Sequence, residues 1–126
     1  MAKILIVDDS ETVRDQLKDT LTKNGHNVVE GVDGALGYQT FKENPDVALI
    51  LCDVNMPNMN GIAMCEKIFL DAAIAKKPPI FMLTTESDPE LMSKGKSFGV
   101  IAWITKPYVE AKLLTAITKI LSMNKS

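Results

Sequence analysis

The sequence predicts an α/β fold in which five parallel strands alternate with five helices to form a doubly wound sheet. Three observations carry that expectation. Short β-like runs alternate with helix-patterned segments along the whole chain. The first, third and fourth runs are nearly all apolar, as strands covered on both faces must be. The chain has 126 residues, 46% of them apolar and 24% charged, which suits one domain with its own core.

The first run, Lys3–Asp8 (KILIVD), opens the sheet. The first helix is expected from about Thr12 to Asn24, with Val13, Leu17 and Leu21 on one face and Gly25 free to take a left-handed end. The second strand is His26–Glu30 (HNVVE). The second helix starts after Asp33, an N-cap residue, and ends by Pro45; Gly34 and Gly37 weaken it. The third strand, Asp46–Asp53 (DVALILCD), leads to a helix starting near Asn60-Gly61 with Ile62, Cys65, Ile68 and Phe69 inward. The fourth strand, Pro79–Thr84 (PIFMLT), precedes a helix opened by Ser87-Asp88-Pro89-Glu90 and closed at Gly99. Ser87 and Glu90 have capping-box spacing. The fifth strand is Ile101–Thr105 (IAWIT), and the last helix follows Pro107 with Leu113, Leu114, Ile117, Ile120 and Leu121.

Composition excludes several classes of function. The longest apolar run, Val47 to Cys52, is too short to cross a membrane. Met1-Ala2-Lys3-Ile4 leads straight into a strand without signal-peptide anatomy, so a cytoplasmic location is expected. A net charge of −2 gives no electrostatic reason to bind nucleic acid. The charge is uneven: residues 1–63 carry 5 basic and 10 acidic side chains, residues 64–126 carry 9 basic and 6 acidic. Cys52 and Cys65 lack metal-ligand spacing and read as buried, inert thiols. His26 is the only histidine, which rules out a multi-histidine metal site.

In a doubly wound sheet the ligand crevice lies beyond the carboxyl ends of the strands. The first strand ends in Asp8-Asp9, the third in Asp53, the fourth in Thr84-Thr85 and the fifth in Thr105-Lys106-Pro107. Each residue alone has a plain reading: helix-capping acids, turn threonines, a solvated lysine. Jointly they place three carboxylates, a hydroxyl and an ammonium on one rim. Crowded carboxylates repel, and a hard divalent cation relieves the repulsion. Oxygen donors without Cys or His select Mg²⁺ or Mn²⁺ over zinc. With Lys106 and a Thr hydroxyl added, the set suits a phosphoryl group, and a carboxylate can itself be the nucleophile.

From Ile4 to about Leu121, the sequence resembles a response-regulator receiver domain of two-component signalling, particularly the stand-alone chemotaxis (CheY-like) type. The resemblance rests on Asp8-Asp9, on the segment Asp53-Val54-Asn55-Met56-Pro57-Asn58-Met59-Asn60-Gly61, on Thr84 and on Lys106-Pro107. It implies a flavodoxin-like sheet of order 2-1-3-4-5 and a single receiver domain over residues 1–126. It implies that Asp53 accepts phosphate from a phosphohistidine on a sensor kinase or its phosphotransfer domain. Asp9, Asp53 and the Asn55 backbone carbonyl would ligate Mg²⁺, and Asp8 would hold a metal-bound water. Lys106 would pair with the phosphoryl group. Thr84 would swing onto it and Trp103 would follow, remodelling the face of the fourth helix, fifth strand and fifth helix where a target docks.

Three positions modify that picture. Trp103 stands where Tyr or Phe is usual, and its N–H needs a partner if buried; a partly exposed indole on the docking face is the alternative to an inward one. Thr85 replaces a small residue and is expected to narrow access to Asp53. Asn55 and Glu86 resemble the chemotaxis regulator, which implies a phosphoryl lifetime of seconds to minutes. An aspartate-nucleophile phosphatase of the haloacid dehalogenase type would need an Asp at position 55, and a flavin binder would need a Ser/Thr/Gly-rich loop after the first strand. The expected molecule is a monomeric signalling switch, acting on itself rather than as an enzyme. Its partners would be the kinase, a target such as a flagellar-motor switch protein and a phosphatase. Lys94 and Lys96 are candidates for the docking surface. Ser122 to Ser126 would be too short for an output module. A phosphorelay intermediate, or a degenerate receiver serving as a constitutive docking module, remains as an alternative role.

Overall fold

The computed structural model describes residues 2–123. The elements run β1 (Lys3–Val7), α1 (Glu11–Lys23), β2 (Asn27–Gly31), α2 (Gly34–Glu43), β3 (Leu49–Cys52), α3 (Gly61–Leu70), β4 (Ile80–Thr84), α4 (Pro89–Ser97), β5 (Val100–Thr105) and α5 (Glu110–Met123). All strand pairs are parallel, in the order β2-β1-β3-β4-β5. Both the alternation and the strand order are as expected. Helix α5 takes in Ser122 and Met123 of the expected tail. Residues 124–126 and Met1 lie outside the described residues.

Alternation along the strands explains why they read as continuous apolar runs. Leu5, Val7, Ile50, Cys52, Ile80 and Met82 face one cluster with α2 and α3. Ile4, Ile6, Leu49, Leu51, Phe81 and Leu83 face the other, with α1 and α5. With both faces covered there is no solvent side for polar residues to occupy. Each such side chain contributes about 1.5–3 kcal/mol by leaving water.

Local chemistry sets the helix ends. Ser10 accepts from the Val13 N–H and starts α1 at Glu11, one residue earlier than expected; Gly25 beyond its end has φ 86°. Asp33 caps α2 as expected, accepting from the Leu36 N–H. Gly34 and Gly37 do more than weaken that helix. A Cβ on Gly37 would lie 2.8 Å from Val7, and one on Gly34 would lie 2.5 Å from the Met59 carbonyl. The two glycines let α2 lie against β1 and against the loop after β3.

Three expectations are corrected. Phe69 does not point inward: it is 47% exposed, with its ring tilted 57° against Phe98, and Met64 is buried instead. By angle 69 falls within the stripe of 62, 65 and 68, but Phe69 and Leu70 close the last turn of α3 and both are exposed. The N-cap of α4 is Asp88, not Ser87; the Glu86 carboxylate occupies the Ser87 and Asp88 N–H groups. Strand β3 is shorter than Asp46–Asp53, because Asn44 to Val47 form a hydrogen-bonded turn before it. No helix among the described residues is long and apolar enough to cross a membrane. The two thiols are buried, and burial pushes Cys65 up to about 12 and Cys52 higher than an ordinary thiol, so neither ionises at neutral pH.

Candidate functional site

The chain leaves β1 toward β2 on one side and returns to β3 on the other, so the switch point lies between β1 and β3. Register then fixes the site. Val7 pairs with Cys52, and the Asp53 N–H donates to the Val7 carbonyl at 2.9 Å. Asp8 and Asp53 are therefore neighbours just past the two strand ends. Thr84 pairs with Thr105, and the Lys106 N–H donates to the Thr84 carbonyl at 2.8 Å, which carries Lys106 onto the same rim.

Lys106 Nζ bridges the two strands, 2.8 Å from Asp8 Oδ2 and 3.2 Å from Asp53 Oδ2. Burial opposes its charge, but the hydrogen bonds and charges of Asp8 and Asp53 outweigh burial and raise its pKa. The stabilisation from that shift is full below the ordinary lysine range and is lost as pH rises through the raised value. Asp8 is 3% exposed, and its second oxygen accepts from the Ser10 N–H at 2.9 Å. Asp53 Oδ1 accepts from the Val54 N–H at 2.7 Å.

Asp8, Asp9 and Asp53 each offer a carboxylate oxygen, all within 4.8 Å of one another. This donor set fits Mg²⁺ or Mn²⁺: it is all oxygen, and the nearby Cys52 thiol is turned to the Asp53 carbonyl at 3.1 Å. One lysine cannot neutralise three carboxylates, which leaves net negative charge that a divalent cation would balance.

Of the other candidate residues, Thr84 is fully buried and its hydroxyl accepts from the Glu86 N–H at 3.2 Å. Trp103 is partly buried, packed on the cluster under α4, and its indole N–H donates to the Glu86 carbonyl at 2.7 Å. Thr84 and Trp103 thus meet on the backbone of one residue. The Glu86 carboxylate lies over the N-terminus of α4 rather than at the acid pocket. Asn55 and Thr85 are exposed, as are Lys94 and Lys96.

Sequence reasoning missed the supports of the rim. The Asn58 amide donates to Asp33 Oδ2 at 2.8 Å, tying the loop after β3 to α2. Arg14 Nη1 donates to the Asp8 carbonyl at 2.7 Å. Neither announces itself in sequence, because one partner is an N-cap already accounted for and the other is backbone. Asn58, at φ 66°, lies in the left-handed region that Asn tolerates, the one local signal available.

The response regulator receiver domain model matches residues 4–118. Chemotaxis protein CheY1 of Helicobacter pylori is 33% identical, over 97% of this chain and 98% of that protein. Protein PilH of Pseudomonas aeruginosa is 36% identical, over 97% of this chain and 99% of its own length. Among solved structures, the CheX–CheY–BeF3–Mg²⁺ complex of Borrelia burgdorferi superposes with a TM-score of 0.84 at 26% identity, covering 94% of this chain and 88% of that one.

Proposed function

The chain belongs to the response regulator receiver domain family, and from that premise we propose that it is a single-domain, phosphorylation-switched signalling protein whose phosphoryl acceptor is Asp53. The observation that carries this reading is the Lys106 ammonium spanning Asp8 and Asp53 at the switch point. An Asp53 carboxylate oxygen attacks the phosphorus of a phosphohistidine on a sensor kinase or its phosphotransfer domain. The phosphorus–nitrogen bond breaks, its electron pair stays on the donor imidazole, and an acyl phosphate forms on Asp53. Asp9, Asp53 and the Asn55 carbonyl would hold Mg²⁺, with Asp8 reaching it through a water, and the ion would supply positive charge against the carboxylates and the incoming phosphoryl oxygens. Lys106 follows the phosphoryl group as a point charge. Hydrolysis by water returns Asp53 to its free state, so the chain turns over only itself.

The switch runs through Glu86. When the Thr84 hydroxyl turns to a phosphoryl oxygen it ceases to accept from the Glu86 N–H, and the Glu86 carbonyl holds Trp103. The change reaches the α4–β5–α5 face, where Trp103, Lys94 and Lys96 meet a target protein. It is a population shift driven by bonds made only in the phosphorylated state. Identity to the Helicobacter chemotaxis protein supports chemotaxis; we assign a flagellar-motor switch protein as the target and the cytoplasm as the site of action. The Borrelia complex supports a CheX-like partner, which we assign as the phosphatase.

Titrating Mg²⁺ and then beryllofluoride tests this reading through the emission of Trp103. The expected result is a Mg²⁺-dependent change in the wild type. In Thr84→Ala, beryllofluoride still binds, followed by fluorine NMR, but the emission change is lost. Absence of binding in the wild type overturns the phosphoacceptor reading; binding with unmoved emission overturns the Thr84–Trp103 coupling. Thr85 tunes access from its exposed position. Thr85→Ala is expected to label severalfold faster with acetyl phosphate, read by intact mass; an unchanged rate refutes the role.

A further inference from the structure

We propose that Arg14 and Glu30 are positioning residues for the acid pocket: together they lock the peptide joining Asp8 to Asp9 and so set the direction of the Asp9 carboxylate. The inference rests on the reading of Asp9 as a metal ligand. It adds the two residues, one on α1 and one on β2, that hold that ligand in place.

Arg14 uses its guanidinium as a two-sided bracket. Nη1 donates to the Asp8 carbonyl at 2.7 Å, and Nε pairs with Glu30 Oε1 at 3.3 Å. The Arg14 side chain is only 13% exposed, so this is not a surface pair free to swing. Glu30 is fixed in turn. It lies on β2 in register with Ile6, and its carbonyl accepts from the Thr40 hydroxyl on α2 at 3.2 Å. Its second carboxylate oxygen lies 3.5 Å from Lys18 Nζ.

The bond to a carbonyl has a defined consequence. The Asp8 C=O and the Asp9 N–H belong to one planar peptide. A donor on the carbonyl stops that plane from rotating about its flanking bonds. Asp8 is anchored independently, by its N–H on the Gly31 carbonyl, by Ser10 and by Lys106. Asp9 is exposed, so its direction depends on the backbone that carries it. Lysine cannot replace Arg14 here, because a single ammonium lacks the planar fork that reaches both partners at once.

Charge and position make opposite forecasts. As a bare cation near three carboxylates, Arg14 weakens Mg²⁺ binding, and its removal tightens it. As a bracket, its removal weakens binding, by about tenfold for an outer-shell partner. The test is the Mg²⁺ dissociation constant by calorimetry for the wild type, Arg14→Gln, Arg14→Lys and Glu30→Gln. The amide resonance of Asp9 in the metal-free protein is the second readout. The expected result is about tenfold weaker binding in Arg14→Gln, weakening in Arg14→Lys despite the retained charge, and weakening in Glu30→Gln. The double variant Arg14→Gln/Glu30→Gln is no weaker than Arg14→Gln alone, and the Asp9 amide moves in every variant. Unchanged or tighter Mg²⁺ binding in Arg14→Gln overturns the proposal, as does an unmoved Asp9 amide. Arg14→Lys decides the matter if Arg14→Gln does not fold, because it keeps the charge and removes the fork. Failure of the wild type itself to bind Mg²⁺ overturns the underlying reading, a distinct outcome from equal binding in all five proteins.

Discussion

Asp53→Asn is expected to abolish phosphoryl uptake while leaving the fold standing. The carboxamide is the same size and keeps an acceptor for the Val54 N–H now bonded to Asp53 Oδ1. It has no anionic oxygen to attack phosphorus, so the acyl phosphate cannot form. Removing the charge is not expected to cost stability. Asp53 is repelled by Asp8 and Asp9 and attracted by Lys106 at 3.2 Å. Two repulsions outweigh one attraction of similar size, so the variant is expected to be at least as stable as the wild type. Lys106 retains Asp8 at 2.8 Å. Intact mass after incubation with acetyl phosphate and Mg²⁺ reads the first effect, and thermal unfolding reads the second. A phosphoryl mass that persists in Asp53→Asn would move the acceptor to Asp8 or Asp9.

The fold was legible because its strongest signals are local. Parallel strands buried on both faces have to be apolar at successive positions, and Ile4 to Val7 and Leu49 to Cys52 are all buried. Helix ends were legible where one side chain sets them, as Asp33 does for α2. They were misread where two neighbours compete. Ser87 and Asp88 can both cap α4, and it is the Asp88 side chain that accepts from the Glu90 N–H, while the Glu86 carboxylate takes the N–H groups of both Ser87 and Asp88. Phe69 was misread because its spacing from Ile62 and Cys65 matches the inward stripe, whereas it falls in the last turn of α3 and is exposed.

The acid rim was legible for a topological reason. Once the strands are parallel, every strand end lies on one side, and Asp8, Asp9, Asp53 and Lys106 converge without further information. What holds the rim was not legible. Arg14 bonds a carbonyl and Trp103 bonds a carbonyl, and carbonyls are the same at every position in a sequence. The indole N–H was known to need a partner if buried; which partner depends on the path of the loop between β4 and α4. The glycines hid a second kind of information. Gly34 and Gly37 read as weak helix formers, yet Gly34 lies close against the Met59 carbonyl and Gly37 against the Val7 side chain.

Gly61 is the close approach with the largest expected consequence. It read as no more than a helix start, and its N–H donates to the Val54 carbonyl at 2.9 Å as α3 begins. A Cβ there would lie 2.1 Å from the Asp53 carbonyl oxygen and 2.9 Å from Cys52 Sγ. The obstacle is backbone, so no rotamer change relieves it. Either α3 retreats from β3 or the Asp53 peptide moves. Gly61→Ala is therefore expected to cost about 3 kcal/mol in chemical denaturation, the upper end for overpacking. The protein that remains folded is expected to label with acetyl phosphate about 100-fold more slowly, the penalty for a displacement near 1 Å at a reacting group. Gly99→Ala separates this effect from glycine substitution in general. Gly99 has φ 97° with nothing within 4 Å of an added Cβ. Its replacement costs about 1 kcal/mol of backbone strain and leaves the labelling rate at the wild-type value, because no strained atom touches the rim. Wild-type stability and wild-type labelling in Gly61→Ala would mean that α3 can shift freely, and that its contact with the Asp53 peptide does not hold the acceptor in place.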